Sequence, residues 1–165
     1  IKIFIDILLL ARERGATIFF MGNGGSAATA SHFANDLAFG TNEYIKPFKA
    51  MSITDNMPVI TALSNDYGYD EIFIRQLKIY GTKGDVLVGI SASGNSENLI
   101  KAFKYAATSE IKTVALTAFD GGIMREIADQ GIHIPTNMNE YGPAEDLHMV
   151  LDHLIGGYLM RLVKK

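Results

Sequence analysis

Phe20 to Leu37 reads F-M-G-N-G-G-S-A-A-T-A-S-H-F-A-N-D-L, and it narrows the choice of fold more than any other stretch. The apolar, β-favouring run from Thr17 to Phe20 ends in Gly22-Asn23-Gly24-Gly25, and Ser26 then offers a side-chain cap to a helix. Glycines between strand and helix let the backbone take positive φ and approach a ligand closely. The unpaired N–H groups and positive dipole end of the new helix suit an anion, phosphate above all. On the predicted helix His32 and Asp36 stand four residues apart and share a face. Together these features predict a phosphate cradle leading into a His/carboxylate pair, as a sugar-phosphate site requires.

The rest of the chain repeats the strand–turn–helix alternation. Strands are predicted at 17–21, 49–53, 85–90, 113–117 and 131–135, the last at an edge because Pro135 cannot donate to a ladder. Asp85 to Ile90 is almost wholly apolar, like a strand covered on both faces. Helices are predicted at 1–13, 26–39, from about 56 to 63, 70–80, 97–107, 122–128 and 144–162, with a turn at 64–68. This spacing predicts an α/β doubly wound three-layer sandwich on a mostly parallel five-stranded sheet, as one domain over 1–165. Ligands of such sheets bind beyond the carboxyl ends of the strands, where both Gly/Ser-rich turns fall.

Composition removes other classes. A formal charge of −3 with mixed signs along the chain offers no basic face for nucleic acid and no polybasic stretch for a membrane surface. There is no cysteine, so disulfides, thiolate zinc sites and cysteine nucleophiles are excluded, and a cytoplasmic location is expected. Ile3 to Ala11 is apolar but carries Asp6 and runs into Arg12-Glu13-Arg14, which predicts a core helix and not a signal peptide. The chain opens inside that helix, from which a missing N-terminal piece is expected.

The second turn, Ser91-Ala92-Ser93-Gly94-Asn95-Ser96, brings hydroxyls and a helix start that can hold phosphate without lysine. No Gly-Lys-Ser/Thr follows either turn, which excludes a Walker loop. The first turn fits a relaxed dinucleotide pattern, but Asp55 lies too far on for the ribose-binding acid. The C-terminal helix carries Glu145, Asp146, His148, Asp152 and His153 among apolar residues, and buried charges there must be paired or metal-bound. Glu145, His148 and Asp152 share one stripe, with His153 about 80° from Glu145. Spacing leaves open which histidine enters a site, and whether the group binds a divalent ion or works as an acid/base pair.

G-N-G-G-S, S-x-S-G-N-S, N-D-Y-G-Y and L-T-A-F-D-G-G, in that order, resemble the sugar isomerase (SIS) domain, and more narrowly the bacterial phosphoheptose isomerases. The resemblance spans essentially the whole chain apart from an extra N-terminal helix. It implies a flavodoxin-like fold, a homotetramer with sites between subunits, and isomerisation of sedoheptulose 7-phosphate to D-glycero-D-manno-heptose 7-phosphate for lipopolysaccharide or capsule. By the same resemblance Asn23, Gly24, Gly25, Ser26, Asn65, Asp66 and Glu145 contact substrate, and Ser91, Ala92, Ser93 and Ser96 hold its phosphate. It also implies one Zn²⁺ per subunit on His32, Asp36, Glu145 and His153, with Asp36 and His153 as the acid/base pair. Departures are specific: Asp36 replaces the family's Glu, Glu145 its Gln ligand, and Ala92 its central phosphate-loop Thr. Rival readings are a sugar-phosphate sensor, a non-catalytic module like the regulator that binds the replication initiator, and an isomerase of another sugar phosphate.

Overall fold

The computed structural model describes residues 1–164. Five strands, β1 (Thr17–Gly22), β2 (Lys49–Ser52), β3 (Val86–Ser91), β4 (Lys112–Ala118) and β5 (Gln130–Ile134), form one sheet in the order β2-β1-β3-β4-β5. Every pairing is parallel, so the sheet is wholly and not mostly parallel. β5 stands at an edge and stops just before Pro135.

Side chains of successive strand residues point to opposite faces, and helices cover both. On one side Ile18, Phe20, Val88, Ile90, Val114 and Leu116 pack with α1 (Lys2–Arg14), α2 (Gly25–Asn35) and α7 (Tyr141–Val163). On the other, Phe19, Met21, Leu87 and Ala115 meet α4 (Ile72–Tyr80), α5 (Glu97–Thr108) and α6 (Gly122–Ile127). α3 (Met57–Tyr67) adds only the half-buried Ile60 and Leu63 to that second core. Phe33 seats α2: it is fully buried, with ring centroids 4.9 Å from Phe20 and 6.0 Å from Phe4.

Three local features depart from the sequence expectation. α2 begins at Gly25 with Gly24 as its N-cap, so Ser26 lies inside the first turn, buried, and caps nothing. The same helix leaves α geometry at Asp36: residues Asp36–Gly40 form one π-helical turn, which the Thr41 hydroxyl closes by donating to the Leu37 carbonyl at 2.9 Å. The turn expected at 64–68 is the end of α3 instead: started by Asn56, which caps Val59 N–H, the helix runs unbroken to Tyr67 and is closed by Gly68 at φ +99°, whose N–H donates to the Ser64 carbonyl at 3.1 Å. Asn65 and Asp66 are therefore helical and exposed.

Candidate active site

Two loops lock together beyond the carboxyl ends of β3 and β4. A Cβ on Gly94, whose φ is +64°, would overlap the Gly121 carbonyl, and one on Gly122 would overlap the Ser93 carbonyl. Met124 N–H donates to the Gly94 carbonyl at 2.9 Å, and Ile123 N–H to Asn95 Oδ1 at 3.1 Å. Within this clasp Ser91 Oγ accepts from Gly94 N–H at 3.0 Å and Ser93 Oγ from Asn95 N–H at 3.2 Å. Ser96 is the N-cap residue of α5, its carbonyl taking the N–H groups of Leu99 and Ile100 while its hydroxyl caps nothing.

The resulting cleft holds about 130 Å³ and is lined by Asn23, Ser26, Ile90, Ser91, Ala92, Ser93, Ser96, Tyr141 and Glu145. It thus joins the two Gly/Ser turns to the first residues of α7. Asn23 is fixed twice over: its amide exchanges hydrogen bonds with that of Asn98, at 3.0 and 2.9 Å, and Tyr69 donates to its Oδ1 at 2.8 Å. Asn98 escaped sequence reasoning, since an Asn in the first turn of a helix carries no signal of its own, and Tyr69, the last residue of N-D-Y-G-Y, was given no role. Asn65 and Asp66 hydrogen-bond each other at 2.9 Å and do not line the cleft. The Glu145 carboxylate of α7 lies against Gly25, where a Cβ would overlap it.

Two turns further along the α2–α7 seam lies a second group. His32 and His153 face one another with Nε2 atoms 3.1 Å apart and rings at 69°. Asp36 Oδ2 stands 3.5 Å from His32 Nε2, and Asp152 Oδ2 stands 3.9 Å from it. One ligand atom from each of His32, Asp36, Asp152 and His153 lies within 4.8 Å of the others, a set able to hold a metal ion. Burial pushes the Asp152 carboxyl up to about 7, with the neighbouring charge of Asp36 adding to it. Gly156, a turn later, faces the same group, and a Cβ there would make only an ordinary contact with Asp36, at 3.7 Å.

The structure therefore brings His32, Asp36 and His153 together, and adds Asp152. Glu145 sits elsewhere, eight residues before His153 on the same helix, or about 12 Å by helical rise. His148 turns the other way, into the protein, 1% exposed and with neither ring nitrogen hydrogen-bonded. Burial holds its imidazole below the ordinary histidine value, only partly opposed by the Thr117 main chain, and His133 adds to the depression.

A sequence model of the SIS domain matches residues 1–118. The chain belongs to the SIS-domain family. Within the family its relatives include the phosphoheptose isomerase of Helicobacter pylori, 37% identical over 94% of this chain and 80% of that protein. Another is the phosphoheptose isomerase of Aliarcobacter butzleri, 40% identical over 93% of this chain and 78% of the relative. The solved phosphoheptose isomerase of Neisseria gonorrhoeae superposes with a TM-score of 0.83 at 34% identity, over 93% of this chain and 81% of that one. The expected SIS-type fold is thereby shown, and among the described residues of this SIS chain no helix is long and apolar enough to cross a membrane.

Proposed function

We propose that this SIS chain is a phosphoheptose isomerase, interconverting sedoheptulose 7-phosphate and D-glycero-D-manno-heptose 7-phosphate through an enediol(ate). The observation that carries the reading is the pairing of two sites along one seam. A hydroxyl- and amide-lined cleft lies at the start of α2, and a His/carboxylate group lies seven residues further on, about 10 Å by helical rise. A substrate with phosphate at one end and carbonyl at the other spans such a pair.

In this reading Ser91, Ser93 and Ser96, the Ala92 main chain, and Asn23 to Ser26 hold the phosphate end. Glu145 contacts the sugar, and Asn65 and Asp66, which lie outside the cleft of a single copy, are assigned to it by the family pattern alone. Phosphate binding fixes the substrate, so its binding energy is used to orient the reacting carbons. Asp36 and His153 then move the proton, one removing it beside the carbonyl and the other serving the exchanging oxygens. His32 orients both, through its 3.5 Å contact with Asp36 and its 3.1 Å contact with His153.

Two imidazoles and two carboxylates suit Zn²⁺, and a buried carboxylate with no hydrogen-bond partner fits a bound cation. His32, Asp36 and His153 would hold the ion, while Glu145, the remaining position implied by the family, lines the cleft in this chain. When bound, it would polarise the substrate's carbonyl as a Lewis acid. The assembly in this reading is a cytoplasmic homotetramer feeding heptose into surface polysaccharide. The exposed stripe of Leu147, Val150, Leu154 and Tyr158 on α7 supports self-association.

Incubating the protein with sedoheptulose 7-phosphate and Zn²⁺ and following products by NMR tests the activity. Formation of the aldoheptose 7-phosphate is expected. Thermal stabilisation by the sugar phosphate with no turnover would replace the isomerase by a sensor.

A further inference from the structure

Asp152 stands out within the α2–α7 seam. It is 0% exposed, and neither carboxylate oxygen has a hydrogen-bond partner. Its only ion-pair neighbour among the described residues is His32, itself shared with Asp36, and no lysine or arginine reaches either carboxylate. A carboxylate so placed is costly unless a cation completes it. The imidazole nitrogens also stand at the right separation. Zn–N bonds of about 2.0–2.1 Å at a tetrahedral angle put two nitrogens about 3.3 Å apart, and the Nε2 atoms of His32 and His153 are 3.1 Å apart. Repulsion between two lone pairs at that distance is relieved by a proton or a metal between them.

We propose that Asp152 is a direct ligand of a divalent cation, completing a two-histidine, two-aspartate site with His32, Asp36 and His153. Within one copy the ion is then held entirely by α2, its π-helical end and α7, and Glu145 is free to serve the phosphate cleft. The proposal rests on the metal-binding reading above and adds to it a ligand set particular to this chain. Asp152 follows Met149, Val150 and Leu151 and directly precedes His153, in an apolar run where a carboxylate has no packing role.

The test is Co²⁺ and Zn²⁺ binding to chelator-stripped protein, read by calorimetry and by the visible absorption of Co²⁺. The unmodified chain should bind one ion with the intense absorption of a four-coordinate site. Asp152→Asn should weaken binding by roughly 10–100-fold or more, at least the loss seen when an outer-shell partner is removed, and should alter the absorption band. Glu145→Gln should leave affinity and spectrum unchanged. In the metal-free state Asp152→Asn and Asp152→Leu should melt several degrees higher than the unmodified chain, because an unpartnered buried carboxylate is gone. They should also lose the upward shift in melting temperature that Co²⁺ gives. A well-folded Asp152→Asn that binds Co²⁺ as tightly as the unmodified chain, with His153→Ala binding none, would overturn this ligand assignment and leave the metal site standing. No Co²⁺ binding by the unmodified chain would overturn both.

Discussion

Asp36 and His153 are reached by different routes, one from the end of α2 and the other from the middle of α7, and they meet through His32. Truncating either should therefore remove chemistry while sparing the phosphate cleft. We expect Asp36→Asn and His153→Ala each to lower turnover by about 10²–10⁴-fold, with stabilisation by the sugar phosphate in a thermal melt retained. Loss of that stabilisation as well would make the two residues part of the binding site alone. His148 gives a prediction of opposite character. Its folded pKa lies below the ordinary 6.5 because the ring is buried, with His133 adding to this and the Thr117 main chain partly opposing it. The unfolded chain thus takes up a proton that the folded chain refuses, and this contribution to stability is present above pH 6.5 and is lost as pH falls from 6.5 toward the lower folded value. His148→Phe should flatten the fall in stability on that acid side, measured by denaturant unfolding at a series of pH values. An unchanged slope would mean that His148 is already protonated in the fold.

At the scale of elements, α2 is the hinge between the sequence pattern and the site. Phe33→Ala should cost about 3–5 kcal/mol, visible as a lower denaturant midpoint, since the ring is fully enclosed between Phe20 and Phe4. At the other end, Gly25→Ala should change the stability read from the denaturant midpoint by no more than about 1 kcal/mol, because the added methyl meets only the flexible end of Glu145 and alanine favours the helix. A larger loss would mean that the Glu145 carboxylate cannot swing aside. All five strands stand within one residue of where hydrophobic runs and glycine punctuation put them, for instance Lys112–Ala118 against 113–117. Apolar runs report burial on two faces directly, which is why the sheet was readable. The His32/Asp36 pair was readable for the same reason, four residues being one helical turn. Asp152 was not: a carboxylate in an apolar helix looks alike whether it faces water or the interior, and only the approach of α2 decides. The π-helical turn after Asp36 was equally hidden, for one extra residue in a turn leaves the hydrophobic spacing almost unchanged.

For the whole molecule, the exposed apolar stripe on α7 matters most. Leu147, Val150, Leu154 and Tyr158 are between 43% and 56% exposed and recur every three or four residues, one continuous edge of the helix. Leu154→Asp should shift the protein to a smaller species in sedimentation and lower turnover, since the neighbouring His153 belongs to the site. A species of unchanged size would put the subunit contacts on another face. The parallel order β2-β1-β3-β4-β5 leaves the two sides of the sheet separately roofed, with α2 and α7 sharing one roof. His32 and His153 are 121 positions apart along the chain. Along the chain β1 to β5 and six of the seven helices precede α7. That last helix supplies Ile155 and Leu159 to the core, Tyr141 and Glu145 to the cleft, and His153 to the histidine pair. A chain clipped before α7 would lose one roof of the sheet, one side of the cleft and half of the pair in a single cut.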